Sequence, residues 1–239
     1  MKLEIGYKYP PEVRRYTYPS EALSGKRLVY ISDLHYHRVS RPRVNRHILQ
    51  IRQLGPDILL LGGDYVDTPS GLSNFQHLIE SVGHTPVFAI AGNHDSPYIR
   101  RIRAIVENSG ASWIHNDKTT FQLGSARIKI DGTLPATSPG AETADLSILC
   151  LHHPIDIQNI AHRYNLVFAG HLHGGQIVLW QNEKGLYPVK WRYPLNQLDM
   201  AYGACRYIIS KGLGDTLPIR YACPRDIIVV DFGRPMNQL

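Results

Sequence analysis

The chain has 239 residues, enough to bury a full core in one domain of generous size. Apolar residues make up 43% and charged residues 19%, which excludes a disordered chain, and the longest apolar runs, such as Ile58-Leu59-Leu60-Leu61, are far too short to span a bilayer. A formal net charge of +6 favours an anionic partner, and three cysteines without zinc-finger or disulfide spacing fit a reducing compartment.

Residues 1–26 are basic and aromatic and read as an extended arm or an early strand. The apolar run at 27–32 predicts a buried strand, ending in Asp33-Leu34-His35. On an extended segment residues two apart face one side, so Asp33 and His35 are expected to share a face. A basic loop follows at 36–43. Its His37, Arg38, Arg41 and Arg43 either grip a second phosphate or an anionic head group, or form a solvated surface. Val44, Ile48, Ile51 and Leu54 on one face predict a helix over 43–54, stopped by Gly55-Pro56. A second strand at 57–61 runs into Gly62-Gly63-Asp64-Tyr65-Val66-Asp67, and a helix is expected at 72–82. The third strand, 86–91, ends in Gly92-Asn93-His94-Asp95, with Asp95 read as the cap of a helix over 97–109. The polar tips are about 30 residues apart, one βαβ unit each. Right-handed crossovers then place all three on one edge of a parallel sheet, where open α/β sheets bind ligands.

The second half predicts a hairpin at 119–124 and 126–130, a polar loop at 131–144, and a buried strand at 146–151 capped by His152-His153-Pro154. A helix near 155–164 leads to an apolar run at 166–169 and then Gly170-His171-Leu172-His173-Gly174-Gly175. Residues 181–198 read as a surface loop, in which Lys190, Trp191, Arg192 and Tyr193, with Trp180 beside it, form a candidate lid. Late strands are expected at 207–210 and 226–230. The expected fold is α/β, of the α+β sandwich kind: one domain over 1–239, with two mixed sheets packed face to face and helices outside.

Asp33, His35, Asp64, Asn93, His94, His152 or His153, His171 and His173 thus stand at five strand tips. Singly, each is an ordinary turn residue. Five apolar runs, each ending in a metal-type ligand, are not an ordinary collection of turns. Oxygen and imidazole donors without thiolates argue against a structural zinc site and for an open catalytic one. The set exceeds one catalytic ion and suits two ions about 3.5–4 Å apart, an arrangement used for phosphoester hydrolysis. One carboxylate must then bridge, and Asp64, on the strand between the other two, is the candidate.

Asp33-x-His35, Gly63-Asp64-x-x-Asp67, Gly92-Asn93-His94-Asp95, His152 and Gly170-His171-x-His173 together resemble the five blocks of the calcineurin-like metallophosphoesterase superfamily, in order, within residues 33–173. The Gly170-His171-Leu172-His173-Gly174-Gly175-Gln176 form, with Gly212-Leu213-Gly214 and Pro218-Ile219-Arg220, resembles its small bacterial phosphodiesterase branch of YaeI-like and YkuE-like proteins, related to UDP-2,3-diacylglucosamine hydrolases. The resemblance implies two divalent ions, manganese first, with iron, zinc, nickel and cobalt as alternatives. It implies Asp33, His35 and His173 on the first, Asn93, His152 and His171 on the second, and Asp64 bridging. It further implies that a metal-bridging hydroxide cleaves a phosphodiester or pyrophosphate bond, that His94 assists the leaving group, and that Asp67 orients His94. The substrate would be a phosphate ester, nucleotide or lipid-linked, with nucleic acid entering only as a substrate. Members of the branch often begin with a membrane or export segment. Residues 1–8 carry no apolar core, so a cytoplasmic hydrolase with at most peripheral membrane contact is expected. Two other readings remain. Gly63-Asp64-Tyr65-Val66-Asp67 locally resembles phosphomonoesterases, including protein phosphatases. A non-catalytic scaffold would be expected to lack His94 or a ligand, and none is missing.

Overall fold

In the computed structural model, residues 3–134 and 143–233 are described, so the centre of the predicted 131–144 loop lies outside the described residues. The strands are β1 (Leu3–Ile5), β2 (Glu12–Pro19), β3 (Arg27–Ile31), β4 (Ile58–Leu61), β5 (Val87–Ala89), β6 (Ser112–Trp113), β7 (Lys118–Leu123), β8 (Ala126–Asp131), β9 (Leu146–Cys150), β10 (Leu166–Ala169), β11 (Trp180–Asn182), β12 (Gly185–Tyr187), β13 (Asp199–Tyr202), β14 (Cys205–Ile209), β15 (Ile219–Tyr221) and β16 (Asp226–Gly233). The helices are α1 (Arg41–Leu54), α2 (Leu72–Ser81) and α3 (Ile99–Asn108).

Two six-stranded mixed sheets form. The first has the order β2-β16-β3-β4-β5-β6 and the second β13-β14-β10-β9-β8-β7. Strands β3 to β6 run parallel, as the βαβ spacing requires, and β9 and β10 are parallel in the second sheet. The first sheet is covered on both faces, so β3 and β4 read as continuous apolar runs. Their side chains nonetheless divide by strand period. Leu28, Tyr30, Ile58 and Leu60 meet Ile128, Ile148, Phe168 and Ile208 between the sheets, while Val29, Ile31, Leu59 and Leu61 meet the helices. The Tyr30 and Phe168 rings stack at 4.9 Å across the sandwich.

The helices match their predicted spans to within a turn. Gly55 closes α1 at φ 58, a left-handed conformation open to glycine. The helix expected near 155–164 does not form. Only one 3-10 turn, Ala161–Arg163, is present. The Asp156 carboxylate accepts the Gln158 amide, a local turn that competes with helix, and Ile157, Ala161 and Tyr164 still cover the outer face of the second sheet. The amino-terminal arm becomes strand: β1 pairs with β15, and β2 runs parallel to β16 at the sheet edge. The predicted 181–198 loop begins inside the short β11-β12 ribbon and continues through a 3-10 turn at Val189–Trp191. No helix among the described residues is long and apolar enough to cross a membrane.

Phe168→Ala removes a fully buried ring from between the sheets and is expected to destabilise the protein by about 3–5 kcal/mol. Urea unfolding followed by circular dichroism measures this. A loss under about 1 kcal/mol would contradict the face-to-face core.

Candidate metal centre

Every strand tip named from the sequence reaches one end of the sandwich. The backbone there is not extended. Asp33 (φ 53), His35 (φ 44), Asp64 (φ 56), His171 (φ 70) and His173 (φ 50) all adopt left-handed conformations. The expectation that residues two apart share a face because the segment is extended is therefore corrected: tight turns aim these side chains. Such conformations cost on the order of 1–3 kcal/mol each away from glycine and persist only where the surroundings enforce them. Here the turns after β3 and β4 are tied by backbone bonds. Asp33 donates to Gly63 at 2.9 Å, His35 to Asp64 at 3.0 Å and Tyr36 to Tyr65 at 2.8 Å. Two glycines make room: a Cβ on Gly92 would fall on the Asp64 carboxylate, and one on Gly170 would lie 2.5 Å from Asp33 Oδ2.

The side chains gather in two clusters joined by Asp64. In the first, His35 Nε2 and His173 Nε2 face each other at 3.2 Å, and Asp33 Oδ1 lies 3.7 Å from His173 Nε2. In the second, His152 Nε2 lies 2.9 Å from Asn93 Oδ1 and 3.2 Å from Asp64 Oδ2, and the His152, His153 and His171 ring nitrogens converge. The same Asp64 Oδ2 lies 3.7 Å from His35 Nε2, so one carboxylate oxygen stands between the clusters. His171 and His173, two apart in sequence, go to opposite clusters. Of the histidine pair, His152 is buried against Asn93 and Asp64, while the exposed His153 ring lies tilted against that of His171 at 4.0 Å.

Outer partners set the tautomers. Nδ1 of His35 lies 2.6 Å from Asp67, that of His152 2.9 Å from the Gly62 carbonyl, and that of His173 3.1 Å from the Gly214 carbonyl. Each Nδ1–H donates outward, which leaves Nε2 facing inward, where a neutral ring carries its lone pair. Two inward lone pairs 3.2 Å apart, beside buried carboxylates, repel each other unless a cation lies between them. The donor set therefore fits divalent metal ions. Asp33 is oriented by the Ser32 hydroxyl at 2.5 Å and the His171 amide at 2.9 Å.

His94 is partly exposed beside this centre. Its Nδ1 lies 3.1 Å from Asp67 Oδ1, its amide donates to Asp64 Oδ1 at 2.8 Å, and its ring meets His35 edge-on at 4.8 Å. Asp67 thus serves two imidazoles. Asp95, read as a helix cap, makes no cap bond. Its carboxylate instead accepts the amides of Asp64, Tyr65 and Gly92, at 2.8, 2.8 and 2.9 Å, and ties two of the ligand turns together. Of the basic loop, Arg43 is buried and donates to the His35 carbonyl at 2.8 Å, so it does not face a substrate. In the candidate lid, Tyr193 stands edge-on to His171 at 6.3 Å, and Trp180 stacks on Tyr187.

Asp215 escaped the sequence reading. It is buried, lies 3.4 Å from His173 Nδ1, and is clamped by Arg220 at 2.7 Å and Arg225 at 2.6 Å. Its only local signal is its place after Gly212-Leu213-Gly214, close behind a buried strand. Although burial works against its charge, His173 and the two arginines hold its carboxyl well below the usual carboxylate range. Asp64 is treated alike: burial opposes its charge, but His152, His35 and the His94 amide hold it far below that range. Conversely, burial opposes charge on His152, yet Asp64 and Asp33 push it up to about 9. Burial and its histidine neighbours push His171 down to about 4.

In the metal-free protein the second cluster therefore holds a proton on His152 up to a pH of about 9. An ion bound there must displace it. Affinity at that cluster is expected to rise about tenfold per pH unit up to that point and then level off. Calorimetry in buffers of different ionisation enthalpy should show one proton released per ion at neutral pH. A pH-independent affinity would contradict the pairing of His152 with Asp64.

Residues 26–182 match the family described as calcineurin-like phosphoesterase, a span that takes in every candidate ligand from Asp33 to His173. Phosphodiesterase YaeI of Escherichia coli K12 is 26% identical over 220 residues, covering 86% of this chain and 81% of that protein. YkuE of Bacillus subtilis 168, described as an uncharacterized metallophosphoesterase, is 26% identical over 228 residues, covering 86% and 78%. Among solved structures, TT1561 of Thermus thermophilus superposes with a TM-score of 0.51 at 12% identity, over 80% of this chain and 91% of that one, a likeness of fold alone.

Proposed function

Because the chain belongs to the calcineurin-like phosphoesterase family, we propose that it is a two-metal hydrolase of phosphodiester or pyrophosphate bonds. The observation that carries this reading is the Asp64 oxygen between His35 Nε2 and His152 Nε2. Asp33, His35 and His173 would hold one ion, Asn93, His152 and His171 the other, with Asp64 touching both. The absence of thiolates suits manganese, with iron, zinc, nickel and cobalt as alternatives. When bound, two such ions make water a nucleophile near neutral pH and draw negative charge off the phosphoryl oxygens.

The chain's own groups do the rest. Asp67 holds the His94 ring by Nδ1 and leaves the other nitrogen of this partly exposed imidazole for the substrate. His94 gives a proton to the leaving oxygen, or a hydrogen bond to the charge that develops there. Asp95 and Asp215 are positioning residues: one holds the Asp64 turn, the other the His173 ring. A cavity of about 500 Å³, lined by Asn93, His152, Leu134, Leu151 and Ile155, opens beside the second cluster. It has room for the second ester group that a diester carries and a monoester lacks, in line with the phosphodiesterase named YaeI.

With manganese, bis-(p-nitrophenyl) phosphate is expected to turn over faster than p-nitrophenyl phosphate. A faster monoester rate would overturn the diesterase reading, and no hydrolysis of either by fully metallated protein would favour a scaffold. His94→Ala should keep both metals by elemental analysis and lose about 10²–10⁴-fold in kcat. Normal turnover in that variant would refute the role of His94.

A further inference from the structure

Five buried side-chain polar atoms among the described residues lack a hydrogen-bond partner. Three of them, Arg43 Nη1, Arg225 Nε and Gln50 Oε1, belong to residues that line one cavity of about 140 Å³. A desolvated polar atom left unpaired costs about 1–3 kcal/mol, and more when charged. Three around one small space mark the place of an occupant.

Charge identifies its class. The Arg43 guanidinium is buried, gives Nη2 to the His35 carbonyl and to Ser40 Oγ, and packs 4.0 Å from the Tyr7 ring and 5.2 Å from that of Tyr36. No ion pair among the described residues includes it. Arg225 is equally buried and packs on Tyr7 at 4.1 Å. It is paired with Glu4 at 2.7 Å and with Asp215, but Asp215 is shared with Arg220. Exposed Lys8 and Arg46 add two cations to the lining. The remaining basic residue there, His47, is kept neutral by burial and the nearby arginines. The wall thus carries four cations and no carboxylate, Glu4 and Asp215 pairing with Arg225 from outside the lining, and a guanidinium cannot shed its proton to escape. Buried charge of this kind calls for a counter-ion.

We propose that this cavity is a second anion site, holding one oxyanion of the hydrogen phosphate type between Arg43 and Arg225. The volume suits a single tetrahedral ion. Two guanidinium groups donate to its oxygens. Gln50 Oε1 accepts from a P–OH, a donor that hydrogen phosphate has and sulfate lacks. None of the lining residues is a candidate metal ligand. The cavity lies behind the metal centre, since Arg43 holds the His35 backbone and Arg225 holds Asp215, the partner of His173.

The test uses the full, metal-loaded chain. Crystals soaked in millimolar arsenate, the heavy analogue of phosphate, should show an anomalous arsenic peak beside Arg43 and Arg225, separate from any at the metals. In solution, calorimetric titration with inorganic phosphate should show two classes of site. Arg43→Met also frees the His35 backbone and can disturb the fold, so two gentler variants carry the test. Arg46→Glu should weaken the cavity class about tenfold or more, as expected when a positive charge at the lining is replaced by a negative one. Gln50→Leu should weaken phosphate and leave sulfate unchanged. Water alone in the cavity of a crystal whose metal centre holds arsenate would overturn the proposal. So would a single class of phosphate site, or phosphate binding untouched in both variants.

Discussion

The Asp64 carboxylate is the point on which the site depends. It is buried, and one of its oxygens faces imidazoles of both clusters while the other accepts the His94 amide. A buried carboxylate is costly unless matched by positive charge or donors. Around Asp64 the match comes from His35, His152 and the His94 amide. The backbone beneath it is held by Asp95, so two neighbouring acids do different work: Asp64 turns one oxygen inward, and Asp95 gives both of its oxygens to amides.

That arrangement explains why so many ligand residues stand in left-handed turns. A strand that simply continued would carry Asp33 or Asp64 past the sheet edge. A tight turn at each tip folds the side chain back over the sheet ends, and the turns after β3 and β4 brace one another through three backbone bonds. The strain is localised where the inter-sheet core is rigid: Tyr30, stacked on Phe168, lies just before Ser32-Asp33 and close under Gly62. Strain of this kind persists only in a scaffold that overdetermines it.

Among the described residues the carboxy-terminal third backs the site through Asp215 and two arginines. Asp215, clamped by Arg220 and Arg225, backs His173 and fixes which nitrogen faces inward. Arg225 also reaches Glu4 in β1, so the first strand and the last turns are tied to the metal centre through one ion-pair network. Such a network is charge-rich and buried, and breaking one partner would leave another uncompensated.

Much of this was legible in the chain. Apolar runs of strand length ending in Asp, Asn or His, spaced by amphipathic helices, mark a parallel sheet and its ligand edge, because side-chain period and crossover handedness are local or universal rules. The seven residues read as candidate ligands all stand at one end of the sandwich, with the His173 ring beside Asp33 and His35 and the His171 ring beside His152 and His153. The roles of Asp95 and Asp215 were not legible. Each depends on which distant turn lies against it, and an acid beside a helix start or after a Gly-Leu-Gly run carries no local mark of that. The absent helix at 155–164 failed for a related reason: its apolar spacing was right for covering the second sheet, but Asp156 took the Gln158 amide first. By itself the sequence determined the elements, their order and the chemistry at their ends. Only the tertiary structure decided the turn conformations, the tautomers and the second layer of acids and arginines, because these arise from contacts between segments far apart in the chain, such as Arg225 with Glu4.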